Sequence, residues 1–102
     1  MKSEVKQAKL CIQIEKDLTA NRVKGLVDEA KRMVGQIDNY SEISLDLSQV
    51  QHIDSTGISF IIGLYKTACS NSKAFKLTGL NEDIFGLFRL MKLDKILEIE
   101  TA

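Results

Sequence analysis

The residues best suited to chemistry in this 102-residue chain are Asp54, Ser55, Thr56 and Gly57, which stand between an alternating apolar segment and a longer apolar one. A helix has to begin there. First-turn amides have no partner inside a helix and its dipole presents partial positive charge, so the place favours an anion. Asp, Ser and Thr are ordinary N-cap residues, and the four letters alone read first as a cap. The same place suits a hydroxyl that receives a phosphate, since backbone N–H groups can hold phosphate oxygens at a helix start. Gly57 takes a side chain out of the first turn, which either admits another backbone or a phosphate or serves strand–helix packing.

A catalytic serine needs a base within hydrogen-bonding reach. His52, the only histidine, lies three positions before Ser55 and reads as a polar residue at a strand end, with no oxyanion or metal apparatus to accompany it. No catalytic residue is therefore assigned. One histidine and two cysteines, Cys11 and Cys69, make no cluster at ligand spacing, and the phosphate-loop pattern G-x-x-x-x-G-K-[ST] is absent, so no metal and no cofactor is expected. The cysteines are far apart in apolar surroundings and are expected to be buried, inert small hydrophobes.

Lys plus Arg total 14 and Asp plus Glu total 14, and the charges are scattered. Without a basic field, neither nucleic acid nor anionic membrane is an expected direct ligand. No apolar run approaches the roughly 20 residues of a membrane helix, so no membrane insertion is expected. The opening Met1 to Lys6 has no apolar core after it and does not read as a signal peptide; a cytoplasmic protein fits best. With 44% hydrophobic and 27% charged residues, the chain is expected to form one domain over 1–102.

The elements that must position Ser55 follow from periodicity. Leu10, Ile12 and Ile14 alternate with polar partners as a strand, with a short strand around Glu4 to Gln7 before it. From Thr19, a reasonable N-cap, the period changes: Val23, Leu26, Val27, Ala30, Val34 and Ile37 make one helical stripe, Arg22, Lys24, Asp28, Glu29, Lys31 and Arg32 the other face, and Gly35 a weak stop. Ile43, Leu45 and Leu47 form a second core strand. In the helix after Asp54, Ile58, Ile61, Ile62, Tyr65 and Cys69 define a main apolar face, and Phe60, Leu64 and Ala68 a second. That helix is either buried on two sides or covered by a partner. Phe75 and Leu77 give a third core strand. Asn81 or Asp83 can cap a short helix with the stripe Ile84, Leu87, Phe88 and Met91, and Ile96 to Ile99 reads as an edge strand. Strands alternating with helices at this spacing imply an α/β fold with a mostly parallel, mixed sheet of four to five strands and about four helices.

The run Ile43-Ser44-Leu45-Asp46-Leu47, Val50, Ile53-Asp54-Ser55-Thr56-Gly57-Ile58 and Leu64-Tyr65-Lys66 resembles the signature of STAS-domain anti-sigma factor antagonists. Their pattern is a hydrophobic strand, D-S-[ST]-G and an apolar helix, and the likeness extends over nearly the whole chain as a single STAS-like domain. The resemblance implies Ser55 as a phosphorylation site. It implies as partners an anti-sigma factor that doubles as an ATP-binding serine kinase, and a PP2C-like phosphatase. The unphosphorylated protein would bind the anti-sigma factor through Asp54, Ser55, Thr56, Gly57, Ile58, Phe60 and Ile61, and phosphate on Ser55 would release it. Lys16-Asp17-Leu18-Thr19 departs from the G-x-[LI]-D that many relatives carry, and the missing aspartate is one that lies near the phosphorylation region in the family. Asp17 is expected to point elsewhere on alternation grounds. The alternative is a non-switched scaffold or subunit of a signalling or transport assembly, in which the Ser55 hydroxyl is only a cap.

Overall fold

The computed structural model describes residues 2–15, 17–36 and 40–101; Lys16, Ile37 and the side chains of Arg22, Lys24 and Val34 lie outside the described residues. The elements run β1 (Lys2–Lys6), β2 (Lys9–Gln13), α1 (Ala20–Gln36), β3 (Glu42–Asp46), α2 (Ser55–Ser70), β4 (Ala74–Leu80), α3 (Glu82–Leu90), a 3-10 turn (Leu93–Lys95) and β5 (Glu98–Thr101). Gly35 does not end α1, which runs one residue past it. The last strand begins two residues later than the sequence reading places it, because the 3-10 turn turns Ile96 outward and leaves only Leu97 buried.

The strands lie in chain order, β1-β2-β3-β4-β5. β1 pairs antiparallel with β2 through a hairpin whose tip residues, Gln7 and Ala8, both have positive φ (52° and 64°). All other pairings are parallel, with Leu10 opposite Ile43 opposite Phe75 and Ile12 opposite Leu45 opposite Leu77. These two rows are buried and belong to one core cluster that also takes in Val23 and Ala30 of α1, Ile61 and Leu64 of α2, and Ile84 and Phe88 of α3. The alternation read from the sequence thus aims one sheet face at the helices. The next row, on the opposite face, is polar: Glu4, Cys11, Ser44, Lys76 and Glu98. There Lys76 Nζ meets a Glu100 carboxylate oxygen at 2.9 Å, and Lys9 meets Glu42 at 3.6 Å.

The expectation of buried cysteines is overturned. Cys11 is half-buried on this polar face and Cys69 is exposed near the end of α2. Leu26 and Met91 are likewise less buried than their stripes imply: Leu26 is half-buried and Met91 is 48% exposed.

β4 carries a bulge between Thr78 and Leu80. Gly79 occupies it with φ +74°, and a Cβ there would stand 2.9 Å from both Asp46 Oδ1 and the Ser48 nitrogen. Both the backbone angle and the close approach require glycine.

Candidate functional site

The chain leaves β3 through a tight turn in which Asp46 Oδ1 accepts from the Ser48 N–H (2.8 Å) and the Val50 N–H donates to the Leu47 carbonyl (3.0 Å). The segment from Val50 to Asp54 is then held from both flanks. On one side Asp17 Oδ1 accepts from the N–H groups of Gln51 (3.0 Å) and His52 (3.2 Å). Leu18 donates to the His52 carbonyl (3.1 Å), and Asp54 donates to the Leu18 carbonyl (3.2 Å). On the other side Asn81 Nδ2 donates to the Val50 carbonyl (3.4 Å), while Asn81 Oδ1 caps α3 by accepting from Ile84 N–H (2.8 Å).

This bracing delivers Asp54 to the start of α2 in extended conformation (φ −116°, ψ −175°) as its N-cap. Its Oδ1 accepts from the Gly57 N–H at 3.0 Å. Its Oδ2 accepts from the Ala20 N–H, the first amide of α1, at 2.9 Å. One carboxylate therefore closes the N-termini of two helices at once. The amides of Gly57 and then Ala20 hold the Asp54 carboxyl below the ordinary aspartate range, because both bonds favour the ionised form.

Ser55, the first residue of α2, and Thr56 are exposed. With the cap supplied by Asp54, the Ser55 hydroxyl makes no hydrogen bond among the described residues. Thr19 stands directly before α1, but the side chain seen to bind the first amide of that helix is Asp54. Asp17 does point elsewhere, to the Gln51 and His52 amides. His52 is exposed and takes part in this bracing through its backbone.

Gly57 serves packing, not approach from outside. A Cβ at this position would stand 2.1 Å from the Leu18 carbonyl oxygen and 2.8 Å from Ile53 Cγ1 and Leu18 Cβ. Ile58, Phe60 and Ile61, expected at a partner surface, are 6%, 7% and 0% exposed: Ile58 and Ile61 belong to the core, while Phe60 also lines the space between α1 and α2. α2 is buried on two sides within its own chain, along Gly57, Ile58, Phe60, Ile61, Leu64 and Ala68, while Ile62 and Tyr65 of the proposed main face are only half-buried. Near Ser55, the exposed side chains of α2 are those of Thr56 and Ser59. The roles of Asp17, Ala20 and Asn81 carry no local signature beyond Asn81 as a cap, because each acts across a gap of 30 or more residues.

Among the described residues no group of three His, Cys, Asp or Glu is placed to hold a metal ion. No described helix is long and apolar enough to cross a membrane.

Known proteins resemble this chain along its length. The family model described as "Mlab, STAS domain" matches residues 2–98. The anti-sigma-B factor antagonist of Listeria monocytogenes is 30% identical over 84 residues, covering 82% of this chain and 69% of that protein. A crystal structure of a Thermotoga maritima protein superposes with a TM-score of 0.88 at 22% identity, covering 99% of this chain and 85% of that one. The Bacillus cell fate determinant SpoIIAA in its phosphorylated form superposes with a TM-score of 0.75 at 15% identity, covering 99% and 89%. At those identities the two structures establish the fold, whereas the family match and the Listeria relative establish kinship. The chain is a STAS domain and belongs to the family of anti-sigma factor antagonists.

Proposed function

We propose that this protein is a cytoplasmic anti-sigma factor antagonist switched by phosphorylation of Ser55. With a free hydroxyl it binds an anti-sigma factor of the ATP-binding serine-kinase type. Phosphorylation by that partner releases it, and a PP2C-like phosphatase restores it. Its role is binding and not catalysis. The observation that carries the reading is that Asp54 takes over the capping of α2, leaving the Ser55 hydroxyl exposed and unengaged beside two helix N-termini. A phosphate there adds about −1.5 to −2 charges next to the Asp54 carboxylate and opposes docking by repulsion and desolvation. That a Bacillus neighbour of the same fold exists in a phosphorylated form supports the same reading.

The test is intact-mass analysis with site mapping of the protein from its own cells under two growth conditions, joined to binding measurements with Ser55→Ala and Ser55→Asp. One added phosphate on Ser55 whose occupancy changes with condition, and weaker binding by Ser55→Asp than by Ser55→Ala, are the expected results. A Ser55 that is never modified, with equal affinities for the two variants, sinks the switch. It would favour the second reading, a non-switched subunit of a transport or signalling assembly.

A further inference from the structure

α1 and α2 pack side by side and leave a groove of about 440 Å³ between their outer surfaces. Its apolar floor is Val23 and Val27 of α1 with Phe60 and Leu64 of α2. Its lining runs from Val23 to Lys31 on one helix and from Thr56 to Thr67 on the other, so at 1.5 Å per residue it is roughly 12 to 16 Å long, about two to three helical turns. Two features mark it as a place for something outside the chain.

The first is Gly63. It lies in the middle of α2, where glycine lowers helix stability relative to alanine, yet a Cβ at this position would meet nothing within 4 Å. The fold does not require it, unlike Gly57 and Gly79. Exposed in the groove wall together with Ser59, it allows a packed element to come close to the α2 backbone.

The second is charge. The chain has equal numbers of acidic and basic residues, but among the described residues the groove lining contains Lys31 and Lys66 and no acidic side chain. Both lysines are exposed, and neither makes an ion pair among the described residues. An apolar floor of about one turn on each helix, a small-residue wall and a lysine on each side complement an amphipathic helix with an apolar ridge flanked by carboxylates.

We propose that the α1–α2 groove docks an acidic amphipathic helix of a partner protein. The groove needs no assumption about Ser55; that the helix belongs to the anti-sigma factor rests on the function proposed above. Thr56 lines the groove and adjoins Ser55, so phosphate on Ser55 adds negative charge at one end of a site that selects for negative charge in its ligand.

The test uses fluorescence anisotropy with the full chain and a labelled synthetic helix of about 18 residues, Leu on one face and Glu on its flanks, against the same peptide with Lys for Glu. Three variants accompany the wild type: Gly63→Leu, which fills the groove; Lys31→Glu/Lys66→Glu, which reverses its rims; and Gly25→Leu, an equally open mid-helix glycine of α1 outside the groove. Thermal melts should show both leucine variants at least as stable as wild type. The Glu peptide should bind wild type and Gly25→Leu alike and be weakened about tenfold or more in the other two, and the Lys peptide should prefer the charge-reversed variant. Absence of binding, indifference to Gly63→Leu, or preferential uptake of a fluorescent fatty acid would overturn the proposal. Because none of these readouts uses the phosphorylation state, failure here and failure of the Ser55 switch are separately visible.

Discussion

Asp54 Oδ2 lies 2.9 Å from the Ala20 nitrogen although 34 residues separate them in sequence, and through this bond the starts of α1 and α2 share one carboxylate. Asparagine has a single acceptor oxygen and can close only one of the two helices. Asp54→Asn should lower the melting temperature by several degrees at neutral pH, whereas Ser55→Ala should change stability by less than about 0.5 kcal/mol. The pH dependence has a definite sign. The carboxyl is held low in the folded state, so its contribution is present above the unfolded aspartate value of about 3.9 and is lost as pH falls through the lower folded value. Melts of the two proteins between about pH 7 and pH 2 should therefore converge at the acid end. A constant gap would remove the carboxylate from the account.

Gly57→Ala drives a methyl into the Leu18 carbonyl, where backbone has to move. Urea titration should show a loss of about 1–3 kcal/mol or more, the range for overpacking a tight site. An unchanged midpoint would mean that Leu18 gives way easily, and Gly57 would again be open to a part in partner approach.

Burial separates two residues that sequence periodicity treats alike. Ile61→Ala, at a position with no exposed surface, should cost about 2–5 kcal/mol. Leu26→Ala, at a half-buried position, should cost less than that. Equal losses in denaturant titrations would put Leu26 back in the core.

The β1–β2 hairpin turns on Gln7 and Ala8, both with positive φ, a pair of angles that Asn-Gly adopts with far less strain. The double substitution Gln7→Asn/Ala8→Gly should raise the melting temperature by a few degrees, equivalent to about 1 kcal/mol. A fall would show that this tip does not hold the positive-φ turn in solution.

Periodicity made the core strands, the α1 stripe and the start of α2 at Asp54-Ser55 legible, since Leu10/Ile12, Ile43/Leu45 and Phe75/Leu77 alternate cleanly and bury as they alternate. It could not tell whether the second apolar face of α2 belongs to a partner or to α1, because Phe60 and Leu64 look the same in both cases. Only the packing of α1 alongside α2 decides it. Thr19 does stand directly before α1, and its carbonyl accepts from the Val23 N–H, but nothing in the sequence signalled the acceptor for Ala20, which arrives from a distant loop. Cys11 was misjudged because its neighbours Leu10 and Ile12 are apolar, while alternation puts Cys11 on the other sheet face.

Strand order that follows chain order has a bearing on how the protein is made. Each strand pairs with the one before it, so a nascent chain emerging from the ribosome can extend its sheet edge by edge without waiting for its C-terminus. The bond between Asp54 and Ala20 joins elements that both precede β4, and Asn81 follows immediately after it. Every residue seen to brace Ser55 therefore precedes α3 and β5 in the chain, and truncations at the C-terminus should impair overall stability sooner than they disturb that corner of the molecule.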